Sequence, residues 1–257
     1  GPLTIVVPRR IGGHVGLRLP SHPVARSLLS HCGFPLATPS ASQSRSAEPT
    51  TAQQVKEVLD GQISLILDGG PAREGRPSAV VRVDGDSVEI RRPGSVPNAE
   101  LIEAARPSIL FVCTGNTCRS PMAAGFCQLA VADAHKGGGL PYRVLSAGTN
   151  ALEGRSADKL ALEAMREVNI DISRHRTRSL TPTLIDSADW IFTMTRAHRD
   201  SILSVMPTCA DRVQLLSNRS EDIPDPASNS VELYRRVRDK IATCLRDVVR
   251  LVGGSGV

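Results

Sequence analysis

From Ser108 onward, short apolar runs alternate with helical stretches, and this alternation restricts the fold more than any other feature. "ILFVC" is an unbroken apolar run at 109–113, and the helix-spaced "PMAAGFCQLAVADAH" follows after a short polar loop. Next come a strand "YRVLSAG", a helix "SADKLALEAMREVN" and a short helix "TPTLIDSA". A strand "DWIFTMT", a helix "RAHRDSILSVMP" and a strand "RVQLLS" complete the alternation. In the last helix, "VELYRRVRDKIATCLRDVVRLV", Tyr234, Val237, Ile241, Leu245 and Val248 recur on one face. Apolar strands alternating with helices imply a parallel sheet with helices on both faces, a three-layer α/β arrangement. Ligands in such sheets bind beyond the carboxyl ends of the strands. Cys113 stands at such an end.

Before this region the pattern differs. "LTIVV", "ISLILD" and "AVVRVDGDSVEIRR" read as β segments, the last a hairpin turning at Asp84-Gly85-Asp86. "HPVARSLLSHCG" reads as a helix stopped by Gly33. The Pro/Ser/Thr-rich "PLATPSASQSRSAEPT" reads as a loop before a second helix, "TAQQVKEVLDG". Pro93, Gly94 and Pro97 then break the hairpin, and a short helix leads to Pro107. The expected organisation is an α+β domain at 1–96, a linker at 97–107 and the α/β domain at 108–257.

Charge and cysteine usage narrow the function classes. Residues 1–106 carry 12 Lys and Arg against 10 Asp and Glu, and the remainder 19 against 16. Neither part has the long basic run of a nucleic-acid arm, while a mild positive balance suits an anionic substrate. No apolar run approaches the roughly 18–20 residues of a membrane span, so no membrane partner is expected. The chain starts at Gly1 rather than Met, as a fragment or trimmed chain does, and shows no secretory leader. A reducing, cytoplasmic location follows as the expectation. Cys32, Cys113, Cys118, Cys127, Cys209 and Cys244 form no CxxC pair, so no metal site is expected. His14, His22, His31, His135, His175 and His198 suggest no constellation and read as ordinary surface or core residues.

Cys113 and Arg119 enclose a five-residue loop, and Ser120 follows. A free thiol titrates near pH ~8.5, so a cysteine nucleophile needs help to ionise. The N-terminus of the following helix offers unpaired N–H groups and partial positive charge. The same groups suit a phosphate: successive amides make an anion nest, and a guanidinium donates two parallel bonds to phosphoryl oxygens. Gly115 is expected to let the loop turn where a side chain would obstruct it. Asn116 is expected to hold the loop's shape through hydrogen bonds. The Ser120 hydroxyl can steady the sulfur when it leaves. No Gly-Lys-Ser/Thr is present, so this is not a Walker loop.

"VCTGNTCRSPMA" resembles the signature of the low-molecular-weight protein-tyrosine-phosphatase family. The resemblance covers about 108–252 and includes "SAGT" at 146–149, "DWIFTMT" at 189–195 and "DIPDPAS" at 222–228. It implies a two-step hydrolysis of a phosphorylated protein without cofactor. Cys113 attacks phosphorus, Arg119 binds the phosphoryl group, and Thr114, Gly115, Asn116, Thr117, Cys118 and Ser120 complete the phosphate-binding loop. The Asp-Pro pair Asp225-Pro226 matches the family's acid, and Cys118 the cysteine that pairs reversibly with the nucleophile; a packed thiol is the alternative for Cys118. Thr117, within "CTGNTCRS", matches the branch acting on protein phosphoarginine, whereas the phosphotyrosine branch usually has Ile there. Ala227 and Ser228 stand where both branches often have an aromatic wall, and "TNALEG" also lacks a ring. Phosphoarginine is the favoured expectation, with phosphotyrosine as the alternative.

"VGLRLPSHPVARSLL", "PLATPSASQS" and "LILDGGPAREGRPSAVVRVDGDSVEIRRPG" resemble the later part of YrdC-type threonylcarbamoyl-AMP synthases, over roughly 1–96. The resemblance implies a tRNA-modification module, with Ser40, Ser78 and Arg92 near a nucleotide. Ser42 replaces an Asn of the family pattern and Ala79 a Thr, and the family's early Lys/Arg element is not in this sequence. ATP, Mg and RNA therefore enter as expectations only if that domain is complete in the natural protein.

Overall fold

The computed structural model describes residues 1–41, 48–85, 87–134, 140–226 and 230–253. The chain divides into two units, Gly1–Ala105 and Arg106–Val257. In the first, "LTIVV" forms β1 (Leu3–Pro8), which pairs antiparallel with β2 (His14–Leu17) and parallel with β3 (Ala79–Asp84). The hairpin partner β4 (Ser87–Arg92) closes the order β2-β1-β3-β4. Gly85 sits at φ +57 in its turn, and Asp86 lies outside the described residues. Helix α1 (Pro23–Cys32) ends where the Gly33 N–H donates back to the Leu29 carbonyl, at φ 70. Helix α2 (Ala52–Leu59) is capped by the Thr51 hydroxyl, which accepts from the Gln54 N–H. Residues 42–47 of the polar loop before it lie outside the described residues.

One expectation fails here. "ISLILD" forms no strand, and Ile63, Leu65 and Leu67 are 42%, 73% and 56% exposed. Apolar β-branched sequence makes a strand only where a neighbouring ladder takes its N–H and C=O groups, and none does so at this segment. Conversely, "HVGL" is a strand because Gly12 and Gly13, at φ 85 and 75, fold it back onto β1. The expected linker holds helix α3 (Asn98–Ala105), whose Leu101 is buried with Ala79 and Val81 of the first unit.

In the second unit β5 (Ser108–Cys113) is buried at every residue. It lies between β6 (Arg143–Gly148) and β7 (Trp190–Thr193), with β8 (Val213–Leu215) beyond β7, all parallel. Side chains alternate between two cores, as strand geometry requires. Ile109, Phe111 and Cys113 share one core with α4 (Arg119–Ala134), α5 (Lys159–Arg166) and α8 (Val231–Gly253). Leu110 and Val112 share the other with α6 (Pro182–Asp186) and α7 (Arg196–Val205). The expected stripe Tyr234, Val237, Ile241, Leu245 and Val248 of α8 is buried throughout. The three-layer α/β reading is therefore correct, and the strand order β6-β5-β7-β8 reverses beside β5. Such a reversal opens a crevice at the carboxyl end of the strand where it occurs. No helix among the described residues is long and apolar enough to cross a membrane.

Candidate active site

Cys113 ends β5 and Arg119 begins α4, so the loop between them lies over the crevice. The loop is pinned from outside through its carbonyls. Cys113 O accepts from Thr149 N and Thr114 O from Asn150 N, both at 2.9 Å. Thr117 O accepts from Asp158 N at 2.9 Å, Cys118 O from Met122 N at 3.2 Å, and Asn116 O from His175 Nε2 at 2.7 Å. The peptides among the described residues are trans, and in a trans peptide each carbonyl points opposite to the next residue's N–H. The amides of Thr114, Gly115, Thr117, Cys118 and Arg119 are thereby turned away from those partners, to the inside of the loop. Five amides so turned make an anion nest at a helix N-terminus.

Asn116 fixes this shape from a left-handed backbone, φ 55, and is fully buried. Its Nδ2 donates to Ser120 Oγ at 2.9 Å and Ser146 Oγ at 3.0 Å, while its Oδ1 accepts from Arg178 N at 2.9 Å. Ser120 Oγ lies 3.0 Å from Cys113 Sγ. Because Asn116 Nδ2 donates to that hydroxyl, the Ser120 proton is left for its two nearby acceptors, the sulfur at 3.0 Å and the Ala147 carbonyl at 3.4 Å. Gly115 does not carry the role expected of it. Its φ is not left-handed, and a Cβ there would meet nothing nearer than Thr117 Oγ1 at 3.4 Å. The crowding falls at Gly148, where a Cβ would lie 2.9 Å from the Asn116 nitrogen and nearer still to the Thr114 carbonyl. The end of β6, not the loop's own glycine, needs the missing side chain.

Arg119 is 4% exposed. Its Nη1 donates to Ile223 O at 3.2 Å, and its Nη2 to Thr114 Oγ1 at 3.3 Å and Asp225 Oδ2 at 2.5 Å. Asp225, 106 residues away in sequence, thus stands at the loop with its side chain half exposed. Cys118 Sγ lies 3.3 Å from the Tyr234 hydroxyl and 3.4 Å from Thr117 Oγ1, and burial pushes its thiol upward. Cys113 and Cys118 are both free thiols. Ala227 and Ser228 lie outside the described residues.

The reading needs correction for two of the six histidines, while His135 lies outside the described residues. His175 holds the Asn116 carbonyl, and His198 Nε2 lies 2.9 Å from Thr114 Oγ1. Burial lowers the pKa of both, and Arg119 lowers that of His198 further. They lie 59 and 84 residues from their partners, so composition gave no sign of them. The one local signal is "TRAH", in which Thr195 caps α7 three residues before His198.

Of the first unit's candidates, the structure joins two. Arg92 donates to the Ser78 carbonyl from Nε at 3.2 Å and Nη2 at 3.0 Å, and Ser78 Oγ lies 2.8 Å from Thr4 Oγ1. The Ser40 hydroxyl donates instead to Glu48, at 3.2 Å.

Residues 108–253 match the family described as low molecular weight phosphotyrosine protein phosphatase. Residues 1–94 match the Sua5, YciO and YrdC family, described as telomere recombination. A protein-arginine-phosphatase of Geobacillus stearothermophilus is 38% identical over 142 residues, covering 53% of this chain and 90% of that protein. The threonylcarbamoyl-AMP synthase of Bacillus subtilis is 42% identical over 90 residues, 35% of this chain and 26% of the synthase. The chain thus spans about a quarter of that relative. The solved YwlE arginine phosphatase from Geobacillus stearothermophilus superposes with a TM-score of 0.51 at 35% identity, covering 57% of this chain and 92% of that one.

Proposed function

Through residues 108–253 this chain belongs to the low molecular weight phosphotyrosine protein phosphatase family and is a protein phosphatase; on that premise we propose that it hydrolyses phosphoarginine in proteins through a phosphocysteine at Cys113. The observation that carries the mechanism is the convergence of Cys113, Ser120, Arg119 and Asp225 on one loop at the carboxyl end of β5.

The inward amides and Arg119 hold the phosphoryl oxygens, which displace Asp225 from the guanidinium, and the freed carboxylate takes a proton from solvent as it turns toward the leaving atom. The Cys113 sulfur attacks phosphorus as the P–N bond breaks, and Asp225 gives its proton to the departing nitrogen. The Asp225 carboxylate then takes a proton from water, water oxygen attacks phosphorus, and the S–P bond breaks. The Ser120 hydroxyl donates to the sulfur as it leaves with the electron pair. Inorganic phosphate is the product, and the enzyme returns to its starting protonation when Asp225 gives that proton back to solvent and pairs again with Arg119.

Thr117 and the likeness to protein-arginine-phosphatases support phosphoarginine over phosphotyrosine. The test compares matched peptides bearing each group. Faster turnover of phosphoarginine is expected, and a preference for phosphotyrosine would overturn the substrate while leaving the phosphatase. Cys113→Ser should abolish hydrolysis of a generic aryl phosphate, and Asp225→Asn should slow it by ~10²–10⁴. Full activity in Cys113→Ser would remove the nucleophile.

For the first unit, the contact between Ser78 and Arg92 favours a nucleotide-facing role like that of the synthase it resembles. Calorimetric titration of the chain with ATP and Mg tests it: heat lost in Arg92→Ala supports the role, and no heat in the parent chain removes it.

A further inference from the structure

His198 is 6% exposed and touches two hydroxyls through its ring. Nδ1 lies 2.9 Å from Thr195 Oγ1, and Nε2 lies 2.9 Å from Thr114 Oγ1. Thr195 Oγ1 accepts from the His198 N–H at 3.3 Å as the cap of α7, which leaves its proton and a second lone pair for Nδ1. In either tautomer the neutral ring bridges the two hydroxyls, donating from one nitrogen and accepting at the other. Burial and the Arg119 charge both favour that neutral ring. Thr114 Oγ1 is therefore held by His198 Nε2 on one side, at 2.9 Å. On the other it accepts from Arg119 Nη2 at 3.3 Å, since a guanidinium can only donate.

We propose that His198 is a positioning residue for Arg119, setting the angle of its guanidinium through the Thr114 hydroxyl. The inference rests on the phosphatase reading and adds to it a device on a separate helix, α7. Arg119 Nη1 is held by a backbone carbonyl, Ile223 O, which itself belongs to a fixed element, because Ile223 N donates to Met194 O at 2.8 Å. Among the described residues Nη2 donates to no backbone carbonyl, bonding the Thr114 hydroxyl and the half-exposed Asp225 carboxylate. Once Asp225 turns to the leaving group, Thr114 remains to hold that end of the fork. A threonine hydroxyl can swing about χ1, and the 2.9 Å bond to the His198 ring opposes that rotation. The transition state, with charge spread over three equatorial oxygens, depends on the fork's angle more than ground-state phosphate does.

The test is a steady-state series on an aryl phosphate, with inorganic phosphate as competitive inhibitor. His198→Ala and Thr114→Val should each lower kcat about tenfold, the worth of one well-placed hydrogen bond. The inhibition constant for phosphate should change less than threefold (roughly half a hydrogen bond). His198→Gln places an amide N–H near the position of Nε2 and should recover most of kcat, whereas His198→Asn is too short and should not. The double variant His198→Ala/Thr114→Val should be no slower than the slower single one, because both cut the same link. Equal losses in the Gln and Ala variants, or losses that multiply in the double variant, would overturn the proposal. If His198→Ala does not fold, Thr114→Val and His198→Gln decide by the same criteria. Loss of activity in Cys113→Ser, measured beside them, reports on the phosphatase reading separately.

Discussion

Replacing Asn116 by Ala would remove the side chain that shapes the loop, and its cost can be worked from the contacts. Three hydrogen bonds of 2.9, 3.0 and 2.9 Å disappear. At about 1 kcal/mol each, with the Arg178 N–H left without its acceptor, this is about 3 kcal/mol. Alanine must also adopt φ 55, a left-handed backbone that costs roughly 1–2 kcal/mol with a Cβ present and no side-chain bond to repay it. The expected loss is about 4–5 kcal/mol, a large part of the ~5–15 kcal/mol available to a domain. Trp190 is the chain's single tryptophan and lies in β7, so its fluorescence reports on this sheet. With a urea slope of about 2–3 kcal/mol per molar, the midpoint should fall by about 1.3–2.5 M. Asn116→Gly separates the two causes. It loses the same bonds and escapes the strain, but costs about 0.5–1 kcal/mol more in chain entropy. It should therefore sit a little above the Ala variant. A midpoint shift under ~0.5 M for Ala would refute the network as a source of stability. A Gly variant clearly weaker than Ala would refute the strain.

Three further outcomes are expected. Gly148→Ala should cost about 1–3 kcal/mol by overpacking against the loop, while Gly115→Ala should change stability by no more than ~0.5 kcal/mol; the two melting curves side by side check this. Thr117→Ile should move the ratio of phosphoarginine to phosphotyrosine turnover toward phosphotyrosine, and an unchanged ratio on matched peptides would clear Thr117 as selector. Glu167 bonds Arg235 and Arg238, which hold its carboxyl below its ordinary value of 4.5. A depressed carboxylate stabilises the fold above that value and loses the contribution as pH falls through the folded pKa. Glu167→Gln should thus lower the melting temperature at neutral pH, and the difference should shrink below pH 4.5; a difference constant from pH 7 to pH 3 would exclude the linkage.

Much of the second unit could be read directly because its elements are encoded locally. "ILFVC" is apolar at every position since β5 is covered on both faces, and the stripe on α8 repeats with the helix because one side alone meets the core. Cys113, Arg119 and Ser120 stand within eight residues, so their spacing at a strand-to-helix junction is itself a statement about geometry. "ISLILD" shows the limit of that logic, since a strand's stability belongs partly to the neighbour that accepts its hydrogen bonds, and no neighbour is written into the six residues.

The sequence by itself determined the layered α/β plan and the residue types of the Cys113–Arg119 loop, because helix and strand periodicities, caps and glycines act over a few residues. Tertiary structure alone decided which distant groups complete that loop: Asp225 on Arg119, His175 on Asn116, His198 on Thr114, and Gly148 rather than Gly115 as the point of close approach. Those choices depend on the strand order β6-β5-β7-β8, which brings the ends of separate elements to one crevice. A single hydrogen bond formed across 59 to 106 residues leaves no period or spacing in the chain to mark it.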